Sequence, residues 1–407
     1  MRRAGLAAAA ALAAAAWLLA AWLLWRTHVP GSLRLPHLRA ADEFSAATLR
    51  RAAHYQRFVR VDWLLSQVAL LAVLGVYAVR GARFARESAA GRIGTGMLLG
   101  MIGFALVWLA ELPFGLAAAW WDRHSGVSRT GYLQWLLASW WGLGGQFLFL
   151  CLSLVIVMGL ARPLPRAWPL VGAPVFVGLA LLLGFVQPYL LPSTHRLHGG
   201  PVVADVRELA PLEHVRAPPV DVQDVASETS APNAEATGFG PSRRIVVWDT
   251  LLDGRFGPRE IRFVLAHELG HLAANDLWKS IAWYGLFAVP GAVLIANATH
   301  RRGGMAEPGA VPLALLVLVV LGLLARPLQA AISRRVEAQA DWAALQTTRD
   351  PGAGRALFRR FAPTTLEEPS PPLWDYLLLE DHPTLLQRLA MVEAWRRRYA
   401  TSAAQSP

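Results

Sequence analysis

Leu265-Ala266-His267-Glu268-Leu269-Gly270-His271 lies in a largely apolar helical run, and the rest of the chain is read outward from it. Residues four apart share one face of a helix, so His267 and His271 can present two imidazole nitrogens to a single Zn²⁺. Glu268 falls beside that face, where it can take a proton from an attacking water. Two neutral ligands leave coordination positions open, as a catalytic zinc requires. The competing reading is an amphipathic helix with incidental histidines, and features elsewhere must decide.

The chain has 407 residues, 55% of them hydrophobic, with 17 Trp and a mean hydropathy of +0.36. An ordinary soluble protein is not this apolar, and here the excess comes in blocks. A net charge of +11 would suggest nucleic acid in a soluble chain. These arginines instead cluster just outside the apolar blocks, so lipid headgroups and topology account for them and nucleic acid is not expected as a partner. Lys279 is the only lysine among 39 basic residues, a bias that points to a GC-rich, bacterial genome. Cys151, the single cysteine, cannot form an intrachain disulfide, so zinc would be held by His and carboxylate.

Seven apolar blocks are each about long enough to cross a hydrocarbon core as a helix: 5–25, 61–79, 96–121, 133–160, 168–191, 278–298 and 311–328. The first follows Arg2-Arg3 and could be a signal peptide, but its length favours a retained anchor. Asp62 and Glu111 fall at or near span ends or interiors, where a carboxylate faces protein or water rather than lipid. The expected fold is predominantly α and polytopic, with a small α+β module between spans five and six and a helical C-terminal tail. The segments are 1–194 (spans one to five), 195–277 (catalytic module), 278–330 (membrane hairpin) and 331–407 (tail).

Within the module, the pattern predicts a helix over 202–212, a strand over 220–225 and a turn over 227–232. Strands over 233–237 and 244–248 follow, joined through Gly238-Phe239-Gly240-Pro241, in a small antiparallel sheet. Asp249-Thr250 is placed to cap a short helix. The His267 helix is predicted to start near Pro258-Arg259-Glu260 and to continue through Leu277. A free sheet edge beside that helix could hold an extended peptide by strand addition.

The last two blocks form a hairpin, so the chain returns to the face it left. His271 lies about seven residues before block six and Glu337 about nine after block seven, both of order 10–14 Å above the bilayer at 1.5 Å per residue. His267, His271 and Glu337 can therefore meet at one height, and a third protein ligand is what a catalytic zinc needs. Asp341, one turn beyond Glu337, is placed to accept a hydrogen bond from a ligand imidazole. In Asp381-His382-Pro383-Thr384-Leu385-Leu386-Gln387-Arg388, a His and an Arg six apart could stabilise the oxyanion formed at a scissile carbonyl.

These residues resemble the M48-type membrane zinc metallopeptidases, especially the type I CAAX prenyl protease (Ste24-like) branch. The resemblance rests on His267-Glu268-Leu269-Gly270-His271, on Glu337-Ala338-Gln339-Ala340-Asp341, and on His382-Pro383 with Arg388. Asn233 to Gly240 followed by Arg244 to Leu252 also resembles the strand pair before the family's zinc helix. It implies a gluzincin-like module with His267, His271 and Glu337 as ligands of one Zn²⁺ per chain and Glu268 as general base. It further implies that Asp341 orients a ligand histidine, that His382 and Arg388 bind substrate or polarise its carbonyl, and that Asn233 and Ala234 belong to a substrate-holding edge strand. The activity it implies is endopeptidase cleavage of membrane-associated or prenyl-like substrates, with the lipid bilayer as the other partner. A bacterial origin shifts the expectation from prenylated proteins to membrane-proximal peptides generally.

Parity over seven spans puts the first loop, the module and the tail on one side. The arginines of that loop and tail argue for a cytoplasmic catalytic side at the inner membrane. A quality-control or signalling-sensor peptidase shares the chemistry with different substrates, and an inactive metal-binding scaffold is the reading from another class. Against the scaffold, structural zinc sites are usually closed by four ligands. The oligomeric state is not legible in the sequence.

Overall fold

The computed structural model describes residues 2–87 and 90–404. In chain order the helices are α1 (Arg2–Trp25), α2 (Ala40–Glu43), α3 (Ala46–Arg80), α4 (Gly91–Ser125), α5 (Tyr132–Ala161), α6 (Trp168–Leu190), α7 (Pro201–Leu212), α8 (Pro258–Ala273), α9 (Asp276–Thr299), α10 (Val311–Thr348), α11 (Pro351–Thr365), α12 (Leu373–Leu378) and α13 (Leu385–Ala404). Among the described residues, six helices are long and apolar enough to cross a membrane: α3, α4, α5, α6, α9 and α10. Val68, Leu148, Leu182 and Leu324 stand exposed on four of them, an arrangement that suits lipid and not water. The first block, with its apolar stretch Ala11–Trp25, runs beside α9. There Trp17 Nε1 donates to the Leu286 carbonyl at 2.9 Å, and the Trp25 ring meets Trp283 edge-on.

Helix α3 begins 15 residues before the apolar block at Val61, because Ser45 caps it by accepting from the Thr48 amide. Arg50, Arg51, Arg57 and Arg60, ahead of that block, are therefore helical rather than loop. One of them, Arg60, reaches Glu368 and Asp375, tying α3 to the C-terminal tail.

Four short strands, β1 (Thr194–Leu197), β2 (Val220–Gln223), β3 (Ala234–Thr237) and β4 (Arg244–Trp248), form one sheet in the order β1-β2-β4-β3. The sheet is mixed rather than antiparallel throughout: β4 inserts between β2 and β3, pairing parallel with β2 and antiparallel with β3. The β3–β4 connection turns at Gly238, whose φ is +82°. A Cβ there would lie 2.4 Å from the Ser242 carbonyl oxygen, so no other residue fits. Asp249 does not cap a helix. Its carboxylate accepts from the Val225 and Ala226 amides at 3.0 and 3.2 Å, fastening the end of β2 to the end of β4.

Strand β3 is an edge. The Trp248 amide donates to the Asn233 carbonyl at 2.9 Å, and Ala234 lies opposite Val247. Bonding alternates along an antiparallel pair, so residues 233, 235 and 237 face β4. The backbone groups of Ala234 and Ala236 are left pointing outward, toward α8. The Thr237 hydroxyl bonds Gln187 near the end of α6 at 2.7 Å, fixing the strand over the spans.

Helix α8 starts at Pro258, where a missing N–H costs nothing, and the Glu260 carboxylate accepts from the Gly257 amide at 2.6 Å. Its inner face is fully buried: Phe263, Leu265, Ala266 and Leu269 pack with Leu209, Ile245, Leu345 and Phe358. The helix stops at Ala273 rather than running through Leu277. Asn275 takes a left-handed conformation (φ 55°, ψ 41°), which Asn tolerates better than most residues. The chain turns there directly into α9.

Helix α10, at 38 residues about 57 Å long by its rise, is a single rod from the spans into the module. It crosses α8 at Gly270. A Cβ on Gly270 would lie 2.9 Å from the Ala343 Cβ and 3.5 Å from the Ala340 backbone. Gly270→Ala should therefore force the helices apart and destabilise the protein by about 1–3 kcal/mol. A melting temperature and metal content both unchanged in that variant would contradict this account of the crossing.

Candidate metal centre and active site

The α8–α10 crossing brings one turn of each helix face to face. His267 Nε2 and His271 Nε2 are 3.1 Å apart. Glu337 Oε2 lies 3.2 Å from His267 Nε2, and Glu337 Oε1 3.6 Å from His271 Nε2. Four donors at 2.0–2.1 Å around a tetrahedral ion stand about 3.3–3.4 Å from one another, and these spacings fit a shared cation.

The outer nitrogens explain why the inner ones face inward. His267 Nδ1 is 3.0 Å from Asp341 Oδ1, and His271 Nδ1 is 3.0 Å from Asp276 Oδ2. An ionised carboxylate only accepts, so both Nδ1 atoms carry the proton and both Nε2 atoms offer lone pairs. Two lone pairs and a carboxylate pointed at one another repel unless a cation lies between them. Glu337 Oε2 is buried and makes no well-aligned hydrogen bond, despite imidazole nitrogens 3.2 Å away on His267 and His382. Burial disfavours charge on His267, yet hydrogen bonds and charge from Asp341 and Glu337 outweigh it and push its pKa up to about 10, a demand for positive charge at Nε2 that either a proton or a metal ion would meet. Burial likewise opposes the Glu337 charge, but the surrounding imidazoles hold its carboxyl well below the usual range. The donor set fits a divalent metal ion with at least one coordination position left for water.

Asp341 is almost completely buried. Arg388 clamps it with two bonds, Nε to Oδ2 at 2.8 Å and an Nη to Oδ1 at 2.6 Å. The guanidinium also lies 4.3 Å from the Phe358 ring centre. Arg388 thus stands behind the His267, His271 and Glu337 cluster, holding the carboxylate that bonds His267. It also borders a cavity of about 110 Å³ shared with Asn233, Ala234, Glu268 and His382.

Glu268 is buried beside the cluster, where burial raises its pKa from the ordinary carboxylate value while the two imidazoles and the Ala236 backbone amide oppose the rise. His382, half exposed, is held by Asp381 at 2.7 Å and points its Nε2 at Glu337. A cleft of about 500 Å³ opens from the cluster. One wall is the β3 edge at Ala234, Glu235 and Ala236, and the rest descends between α9 and α10 past Trp283, Tyr284, Phe287 and Ile332.

Of the site residues expected from the sequence, Ala234, His267, Glu268, His271, Glu337 and His382 line this cleft, Asn233 and Arg388 border the smaller cavity, and Asp341 stands behind His267. Asp276 and Ala236 were not anticipated. The cue for Asp276 was Asn275, a residue that readily breaks a helix and swings the next carboxylate back onto His271. Asp276→Ala and Asp341→Ala should each weaken metal affinity by roughly 10–100-fold, the usual effect of removing a partner that orients a ligand. Competition against a chelator would read this, and unchanged affinity in both variants would refute the orienting role.

Residues 200–396 match the profile of peptidase family M48. Among curated proteins, the chain is 27% identical over 262 residues to the uncharacterized metalloprotease YhfN of Bacillus subtilis, covering 61% of this chain and 61% of that protein. It is 29% identical over 269 residues to a protease HtpX homolog of Kineococcus radiotolerans, covering 60% of this chain and 85% of the relative. An HtpX homolog of Methylibium petroleiphilum is 35% identical over 152 residues, covering 36% of this chain and 51% of that relative. Among solved structures, that of S. mikatae Ste24p superposes with a TM-score of 0.72 at 20% identity, covering 94% of this chain and 97% of that one. Residues 200–396, which hold both halves of the cluster, are an M48 peptidase domain, carried in an integral membrane protein with the Ste24p fold.

Proposed function

We propose that the chain is a zinc endopeptidase that cleaves extended segments of membrane-associated proteins close to the bilayer surface. The observation that carries this reading is the convergence of His267, His271 and Glu337, with the non-ligand carboxylate Glu268 beside them. Nitrogen, nitrogen and carboxylate donors suit zinc, with His267, His271 and Glu337 holding it. Bound there, zinc would polarise a scissile carbonyl and acidify a water.

The protein's own groups supply the remaining chemistry. Glu268 takes the proton from the attacking water and returns it to the leaving amine. Its raised pKa, set by burial, makes the protonated form accessible for that return. The outward backbone groups of Ala234 and the outward carbonyl of Ala236 hold a substrate strand in extended form, Asn233 flanking them, while the Ala236 amide holds Glu268. His382, pointing its Nε2 at the cluster from the opposite wall, steadies the negative charge that develops on the carbonyl oxygen. Arg388 acts through Asp341 as a positioning residue.

The cleft continues between two membrane-spanning helices, which favours substrates whose neighbouring residues are apolar or lipid-anchored. The arginines of the first loop and the tail support a cytoplasmic catalytic side at a bacterial inner membrane. The test is chelator-reversible cleavage of prenylated and unmodified peptides by the detergent-purified protein, with products identified by mass spectrometry. Cleavage restored by zinc supports the reading, and cleavage indifferent to chelator removes it. Prenylated and plain peptides cut equally would remove the lipid-anchored preference alone.

A further inference from the structure

On the far side of the sheet from the metal cluster lies a second cavity, of about 580 Å³, that the peptidase reading does not use. Its charged lining is wholly basic: Arg196, His198, Arg207, Arg216 and Arg243. The acids nearby are committed elsewhere. Asp221 binds Arg196 and Arg244, while Asp205 and Glu208 both bind Arg262. Among the described residues, no carboxylate pairs with Arg207, Arg216 or Arg243, and the Nε of Arg243 is buried with no hydrogen-bond partner. A buried guanidinium N–H without an acceptor is costly, and several unpaired arginines around one cavity repel each other until an anion enters.

The cavity's height narrows the choice of anion. Strand β1, which supplies Arg196, begins four residues after α6 ends. Phe239, just before the Gly240–Arg243 wall, packs on Gly184 of α6, and its ring centre lies 4.6 Å from that of Trp278, tilted to it, near the start of α9. Arg244, next to Arg243, donates to the Pro188 carbonyl at the end of α6. The cavity therefore sits where two spans leave the bilayer, at the level of the headgroups. Its size suits a headgroup, and arginine's fork matches phosphate oxygens.

We propose that this cavity binds the phosphate of an anionic phospholipid headgroup, anchoring the M48 domain to the membrane surface on the sheet edge away from catalysis. The experiment is a calorimetric titration of the full chain, purified in uncharged maltoside detergent. The probes are dihexanoyl phosphatidylglycerol, dihexanoyl phosphatidylcholine and inorganic phosphate. Phosphatidylglycerol should bind saturably, one per chain, and at least tenfold more tightly than either other probe. R207A/R216A, both at exposed positions, and separately R243Q should each weaken that binding at least tenfold without lowering the unfolding temperature. Should R243Q fail to fold, the exposed double variant decides alone. Equal affinity for inorganic phosphate would overturn the lipid assignment in favour of a free phosphate site, and equal affinity for phosphatidylcholine would overturn recognition by charge. Phosphatidylglycerol binding unchanged in the folded variants would overturn the site itself.

Discussion

Glu268→Gln is expected to keep its metal and lose its activity. Glu268 is not one of the three side chains that converge as candidate ligands, and glutamine preserves its shape in a buried position. The amide oxygen can still accept from the Ala236 backbone, so the edge strand and the cleft should hold their places. What disappears is the ability to take and return a proton, and general acid–base catalysis contributes roughly 10²–10⁴-fold to a rate. The predicted variant has wild-type metal content, a wild-type unfolding temperature and kcat lowered by about that factor. Undiminished cleavage at full metal occupancy would reject Glu268 as the base. Lost metal would instead make it a structural member of the cluster.

The parts of the fold that were legible in advance are those governed by local pattern. Apolar length marked the spans, four-residue spacing put two imidazoles on one face, and equal offsets from a membrane hairpin placed Glu337 beside them. The parts that were not legible depend on partners distant in sequence. Strand β1 is four residues long with an exposed middle, so alternation could not reveal it. The parallel pairing of β2 with β4 follows from where the β3–β4 hairpin docks, a tertiary choice. Arg388 lay in a segment suited to oxyanion binding, but its place is decided by Asp341, 47 residues away, whose buried charge needs a bidentate cation. The end of α8 turned on the conformation of Asn275 alone. Charge misled in one place: Arg50, Arg51, Arg57 and Arg60 read as loop, whereas they extend α3, and Arg60 binds acids of the tail.

Glu337→Ala should abolish metal binding, and comparing it with His382→Ala separates a ligand from an ion-pair partner. In the structure Glu337 has two identities, since its carboxylate faces the His267 and His271 imidazoles and also His382. If its task were the contact with His382, removing either partner would have the same consequence, a modest loss of stability with metal content unchanged. If it is the third ligand, the variants diverge. Glu337→Ala leaves two imidazoles, and its metal affinity should fall by more than the roughly 10–100-fold typical of losing an orienting partner. His382→Ala leaves all three donors in place with Asp341 and Asp276 behind the histidines, so metal content should be wild-type. Its kcat/KM should nevertheless fall by about 10²–10³, the usual cost of one donor to a developing oxyanion. Elemental analysis of the purified variants, with cleavage assayed at saturating metal, reads both quantities. Equal metal content in the two variants would leave the histidine pair without a third ligand and return the His267 helix to an amphipathic element with incidental histidines.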